Sequence, residues 1–179
     1  MSRPALHKGS RGFTLLELVL VLAVIGLIVT LVAPRLGVFG SVALDTSARR
    51  LAARIRFLRE EAALRGRSVR LSFDLHERSY AAAVLLPTTT GARFVDDSSP
   101  LFRRVNLPDD LNLDVSGPNL STTMDGQPAA IFSPDGFADP TVIYLDDGKG
   151  RAMSIVIEPG VTAPRILDGY VDARSVFTQ

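Results

Sequence analysis

The chain has 179 residues, 46% apolar and 22% charged, which excludes wholesale disorder and is the size of one ordinary folded unit. It contains no Cys, which excludes a disulfide scaffold and Cys-based zinc sites, and its two His, His7 and His76, leave little for metal binding or His-dependent catalysis. The formal charge of +1 hides an asymmetry: residues 1–70 carry 12 basic and 4 acidic side chains, residues 71–179 carry 8 and 15.

From Phe13 to Ala33 the chain reads FTLLELVLVLAVIGLIVTLVA, 21 residues with a single charge. At about 1.5 Å per residue a helix of this length spans the roughly 30 Å hydrocarbon core of a bilayer. Arg3, Lys8 and Arg11 precede it with no acid before Glu17. Positive charge on the short flank predicts a cytoplasmic N-terminus, with everything after Ala33 outside. A cleaved secretory signal fits less well, because its apolar region is about 7–15 residues and ends in a small-x-small site. An uncleaved signal anchor and a buried core helix are the other readings.

Glu17 separates these readings. A carboxylate within a spanning helix costs about 2.5–3.5 kcal/mol at the bilayer centre, and less near the interface, unless a cation lies beside it. Cleavage between Gly12 and Phe13 would create one, as a free amino group on Phe13. Gly12 leaves the backbone open to a close-approaching protease.

The stretch Arg11-Gly12-Phe13-Thr14-Leu15-Leu16-Glu17 resembles the type IV prepilin signature, a basic leader ending in Gly before Phe with an acid at the fifth mature position. The resemblance implies that a prepilin peptidase cuts after Gly12 and methylates the Phe13 amine. It also implies that Glu17 pairs with the terminal amine of a neighbouring subunit during filament assembly. Removal of residues 1–12 would leave 17 basic against 19 acidic side chains.

Pro34 interrupts helical hydrogen bonding, and Gly37 and Gly40 loosen the same stretch, so a bend or break is expected over 34–40. Leu44, Ala48, Leu51, Ile55, Leu58 and Ala62 then recur on one face of a helix, with Asp45, Thr46 or Ser47 as candidate caps and Gly66 as a stop. The opposite face is read as Arg49, Arg50, Arg54, Arg56 and Arg59, with Glu60 and Glu61 near its end. After Gly66 the period becomes two. Val69–Asp74 and Tyr80–Leu86 form a hairpin around His76-Glu77-Arg78. Further strands are expected at Leu101–Leu107, Leu111–Val115, Ala129–Ser133, Thr141–Leu145, Met153–Glu158 and Arg165–Leu167. Turns are expected at Pro134-Asp135-Gly136 and Asp146–Gly150, and polar loops at 87–100 and 116–128. The fold class is α+β: a long N-terminal helix, first transmembrane and then amphipathic, on a C-terminal antiparallel β-sandwich or meander. The expected organisation is a leader at 1–12, a transmembrane helix at 13–33, a bend and amphipathic helix at 34–66, and a periplasmic β-rich domain at 67–179.

This layout, together with Arg59-Glu60-Glu61-Ala62 and Phe132-Ser133-Pro134-Asp135-Gly136-Phe137, resembles the H-type minor pseudopilins of type II secretion, the GspH/FimT family. The resemblance implies a single-pass inner-membrane precursor, N-terminus cytoplasmic, whose mature form joins a periplasmic filament that drives protein export. Its implied partners are the major pseudopilin, other minor pseudopilins, the prepilin peptidase and the inner-membrane assembly platform. Energy would come from an ATPase elsewhere, since the chain has no nucleotide-binding loop. No cofactor or metal is expected: the Asp-Gly stretches at 125–126 and 147–148 lack calcium-loop spacing and read as turns.

No nucleophile elbow, metalloprotease motif or paired carboxylate marks an enzyme. The alternative of a FimT-like minor pilin that binds DNA rests on eight Arg between 49 and 70. Glu60 and Glu61 interrupt that run and no aromatic ladder accompanies it, so nucleic acid is the weaker reading. The loops 87–100 and 116–128 are the candidate partner-selecting surfaces.

Overall fold

The computed structural model describes residues 14–32, 38–89, 91–118 and 120–177, and the chain divides into two compact units, Met1–Phe39 and Gly40–Gln179. In the first unit α1 (Leu15–Val32) is helical over 18 residues. Apart from Glu17, its exposed side chains from Leu15 to Val29 are apolar on every side. Among the described residues no helix is long and apolar enough to cross a membrane. The expected leader, Gly12 and Phe13 lie outside the described residues, as does most of the bend expected over 34–40; Val38–Gly40 are already helical.

The second unit is built on α2 (Val38–Arg65). Asp45, Thr46 and Ser47 lie inside this helix rather than at its start, and Asp45 pairs with Arg49 at 2.8 Å. The stripe Leu44, Ala48, Leu51, Ile55, Leu58 and Ala62 is buried as its spacing requires. Gly66 ends the helix at φ 61°: its N–H bonds the Ala63 carbonyl at 3.3 Å and the Arg67 N–H bonds Ala62 at 3.1 Å. This is the paired closure that a residue without Cβ permits after the last helical turn.

Among the described residues ten strands follow: β1 (Val69–Asp74), β2 (Ser79–Thr88), β3 (Gly91–Asp96), β4 (Val105–Asn106), β5 (Asn112–Ser116), β6 (Ser121–Thr122), β7 (Pro128–Phe132), β8 (Thr141–Asp146), β9 (Ala152–Ile157) and β10 (Arg165–Asp168). They form two antiparallel sheets, β3-β2-β1-β7-β6 with β4 beside β2, and β10-β9-β8-β5. Val69, Leu71 and Phe73 of β1 face the same core as Ile143 and Leu145 of β8 and Ile155 and Ile157 of β9. One apolar cluster thus draws on α2 and on both sheets, each fully buried Leu, Ile or Phe contributing about 1.5–3 kcal/mol. The protein is α+β, a helix packed with antiparallel sheets.

Three segments differ from their sequence reading. The polar stretch 87–100 contains β3, which pairs with β2 from Ala83↔Asp96 to Thr88↔Gly91; both its faces are largely exposed, so no apolar alternation announces it. The expected strand Leu101–Leu107 is turn except for β4, and its apolar signal comes from Phe102, buried on that turn, whose carbonyl accepts the Ala82 N–H at 3.0 Å. A short helix, α3 (Ala173–Phe177), was not signalled; it covers Val142, Tyr144 and Val156 on the outer side of the four-stranded sheet. Ser154 staples the approach to α3, its hydroxyl donating to the Gly169 carbonyl at 2.6 Å and accepting the Val171 N–H at 3.2 Å.

Just after β5, Gly117 lies so close to the chain before β8 that a Cβ there would stand 2.4 Å from the Pro140 carbonyl oxygen. Gly117→Ala should destabilise the second unit by about 1–3 kcal/mol, seen as a lower urea midpoint at unchanged slope.

Candidate functional site

Of the three residues singled out for processing and assembly, Glu17 falls within the described structure. It occupies the first turn of α1, and its side chain is exposed. Thr14 caps this turn: its hydroxyl accepts the Glu17 N–H at 3.2 Å, and its carbonyl accepts the Leu18 N–H at 3.2 Å. Thr14-Leu15-Leu16-Glu17 is a T-x-x-E pattern, a capping-box signature that sequence reasoning could have found. It sets an acid at the third helical position, where the positive end of the helix dipole favours negative charge. Around it, Leu15, Leu16, Leu18 and Val19 are exposed, so the carboxylate sits within an apolar surface.

In the second unit, of the five arginines read as the solvated face of α2, Arg49, Arg50 and Arg56 are exposed as expected, and Arg54 and Arg59 are not. Arg54 and Arg59 are buried, 7% and 3% exposed. Arg59 donates from Nε and Nη2 to the Gly136 carbonyl at 3.1 and 2.8 Å. Its Nη1 donates to the Glu158 carbonyl at 3.1 Å and to that of Val161. No carboxylate pairs with it among the described residues; three carbonyl dipoles stand in for the counter-charge. Burial pulls the guanidinium below its ordinary pKa, yet the carbonyls keep its donors satisfied. Arg54 donates to the Arg103 carbonyl and lies 5.2 Å over the Tyr80 ring. Burial lowers the Arg54 pKa and raises that of the Tyr80 hydroxyl, the latter opposed by the charges of Arg54 and Arg50.

Arg65 bridges Glu61 and Asp97, and Arg70 lies 4.5 Å over the Phe94 ring. Arg56 approaches Glu60 at 3.8 Å. Charge alone placed all these side chains at the surface; the carbonyls that recruit Arg54 and Arg59 come from turns 49 to 102 residues away, which periodicity does not report. The two segments that carried the family resemblance, Arg59–Ala62 and Phe132–Phe137, are joined directly by the Arg59–Gly136 bonds.

The acidic turns serve the chain itself. Asp146 accepts from Gly148 N–H at 2.8 Å, Asn112 at 2.9 Å and the Tyr170 hydroxyl at 2.8 Å. Asp147 accepts from the N–H groups of Lys149 and Arg151 at 2.9 and 3.1 Å. Among the described residues no group of three or more metal-ligating side chains gathers. His76 is exposed in the β1–β2 turn.

A capped apolar helix in one unit, and in the other a helix sharing its core with two antiparallel sheets, define a pilin-like class of α+β subunit. A family model described as type II transport protein GspH matches residues 47–160, and one for the prokaryotic N-terminal methylation motif matches residues 7–33. The chain belongs to the GspH family of type II secretion minor pseudopilins, which are structural subunits and not enzymes. Its fold is similar to that of the minor pseudopilin EpsH from the type 2 secretion system of Vibrio cholerae, at 18% identity and TM-score 0.54 over 70% of this chain and 96% of that one. It is also similar to Escherichia coli GspH in solution, at 14% identity and TM-score 0.55 over 74% and 92%. Curated protein sequences give no match.

Arg59→Met should leave the Gly136, Glu158 and Val161 carbonyls without their donor and lower stability by about 2 kcal/mol or more, measured by urea unfolding. Arg59→Lys should recover only part of this, because an ammonium cannot reproduce the planar fork.

Proposed function

We propose that the chain is the precursor of a minor pseudopilin held in the inner membrane by its N-terminal helix, with the second unit in the periplasm. A prepilin peptidase removes residues 1–12 by cutting between Gly12 and Phe13, and the Phe13 amine is then methylated. The mature chain associates laterally with the major pseudopilin and other minor pseudopilins at the inner-membrane assembly platform. The filament they build pushes folded proteins toward the outer membrane.

The observation that carries this reading is a capped helix, apolar on all sides, that opens on one carboxylate and belongs to a chain with a GspH-type head. The 18 described helical residues come to about 27 Å. In sequence the apolar run from Phe13 to Ala33 has 21 residues, the number a bilayer-spanning helix needs. In that setting Glu17 is unfavourable alone and favourable beside an ammonium, so its cost is offset when a neighbour's terminal amine docks against it. Thr14 fixes the turn that presents Glu17. The buried and ion-paired arginines leave less free positive charge on α2 than its sequence suggests, and this favours a subunit-contacting role over a nucleic-acid groove.

In cells that produce a prepilin peptidase, Gly12→Ala should accumulate as full-length precursor, and normal processing would count against the proposed cut. Glu17→Gln should be cleaved normally but fail to enter filaments, scored by shearing and immunoblotting; unimpaired entry would remove the role given to this carboxylate.

A further inference from the structure

The second unit carries four Asp-Gly dipeptides, at 125–126, 135–136, 147–148 and 168–169. The first two sit in turns of the same build. Thr123 N–H bonds the Gln127 carbonyl at 2.8 Å, and Gly126 N–H bonds the Thr123 carbonyl at 3.0 Å. Ser133, Gly136 and Phe137 repeat both bonds at the same distances. Gly126 and Gly136 have φ of 79° and 85°, the left-handed conformation that closes a short hairpin-type loop.

The side chains around these turns differ. The Asp135 carboxylate accepts the Phe137 N–H at 3.3 Å, and Arg59 grips the Gly136 carbonyl at 2.8 Å. In the first turn the equivalent amide, that of Gln127, is taken by the Thr123 hydroxyl at 3.0 Å. Asp125 is thereby left exposed, with no hydrogen-bond or ion-pair partner among the described residues. Gly126 beside it is exposed, and a Cβ there would meet nothing within 4 Å, so the approach is open. Asp147 is buried, its carboxylate held by the N–H groups of Lys149 and Arg151. Asp168 is exposed but paired in β10, and Gly169 is held at both ends, its N–H by the Ala152 carbonyl at 2.8 Å and its carbonyl by the Ser154 hydroxyl at 2.6 Å.

We propose that Asp125-Gly126 is a site of spontaneous isoaspartate formation, while the fold keeps the other three Asp-Gly bonds in their original linkage. The Gly126 nitrogen attacks Cγ of the protonated Asp125 side chain. An N–Cγ bond forms, the Cγ–OH bond breaks, and the hydroxyl leaves with the amide proton as water. Water then adds to the ring at the α-carbonyl and breaks the original C–N bond. The main chain now runs through Cβ and Cγ, with the α-carboxylate as the side group. One water leaves and one returns, and nothing is oxidised or reduced. The step needs a free carboxyl and an amide that opens locally, and only the Asp125 turn offers both. Its product adds a methylene to the turn that joins β6 to β7. The cross-turn bonds of Thr123 depend on the ordinary spacing, so the stretch 116–128 changes shape with age while the core is left alone.

The full-length chain in detergent micelles is kept at neutral pH and body temperature for several weeks. It is then digested with Asp-N protease, which cuts before aspartate and not before isoaspartate. An uncut peptide spanning 114–134 should accumulate at least about 5-fold faster than the joined peptides across Asp135, Asp147 or Asp168. In urea all four sites should lose cleavage at similar rates, because the protection is conformational. Asp125→Glu, whose longer side chain cannot close the five-membered ring, should remove most of the methyl groups that an isoaspartyl methyltransferase adds to the aged chain. No accumulation of the 114–134 peptide, equal accumulation at another Asp-Gly site, a preference for Asp125 that persists in urea, or undiminished methylation of Asp125→Glu would overturn the proposal.

Discussion

The head is tied together by a cation that has no carboxylate partner among the described residues. Arg59 reaches from α2 into the space between two turns and satisfies its donors on the carbonyls of Gly136, Glu158 and Val161. The turn after β7 and the connection after β9 belong to different sheets, so this one side chain connects the helix to both. A carboxylate in its place as partner would have required burial of a second charge, with its own desolvation cost. Backbone carbonyls in turns must find donors anyway, and one guanidinium serves three of them. The apolar stripe of α2 supplies most of the burial. Arg59 supplies direction, because an apolar stripe alone permits sliding along the sheets and directional bonds do not.

The first unit solves a different electrostatic problem. Four N–H groups at the start of any helix need partners, and in α1 the hydroxyl of Thr14 takes one of them. The same turn places Glu17 where the helix dipole is positive and where apolar side chains flank it. The turn that starts the helix is thus also the turn that carries its one acid, and any partner for that acid must approach at the helix end.

Much of this was readable from residue order. The apolar stripe of α2, its stop at Gly66, and the strands β1, β2, β5, β7, β8 and β9 follow from periods of 3.6 and 2 against buried surfaces. The motif around Gly12, Phe13 and Glu17 was legible because a lone acid in an apolar run needs a reason. What was not legible has a common cause, that the deciding partner is remote in sequence. β3 is largely exposed on both faces and has β2 as its one strand partner among the described residues. Phe102 reads as part of a strand but fills a turn against the β2 edge. Arg54 and Arg59 read as surface because charge usually is, and only the folded chain reveals the carbonyls that bury them. The five residues of α3 are too few for a periodic signal and are ordered by the sheet beneath them.

The uniform greasiness of α1 carries a further consequence. A helix with one oily and one wet side can rest at a boundary, but α1 has no side that tolerates wetting. Meeting water instead of an apolar surrounding forfeits roughly 25 cal/mol for every Å² of such a surface, which summed over a helix is far more than a single ion pair returns. Such a helix can only be handed over sideways, touching its next apolar surroundings before it lets go of the last. In the assembly proposed above, growth of the filament and emptying of the bilayer would then be one continuous displacement, with no free, solvated subunit in between.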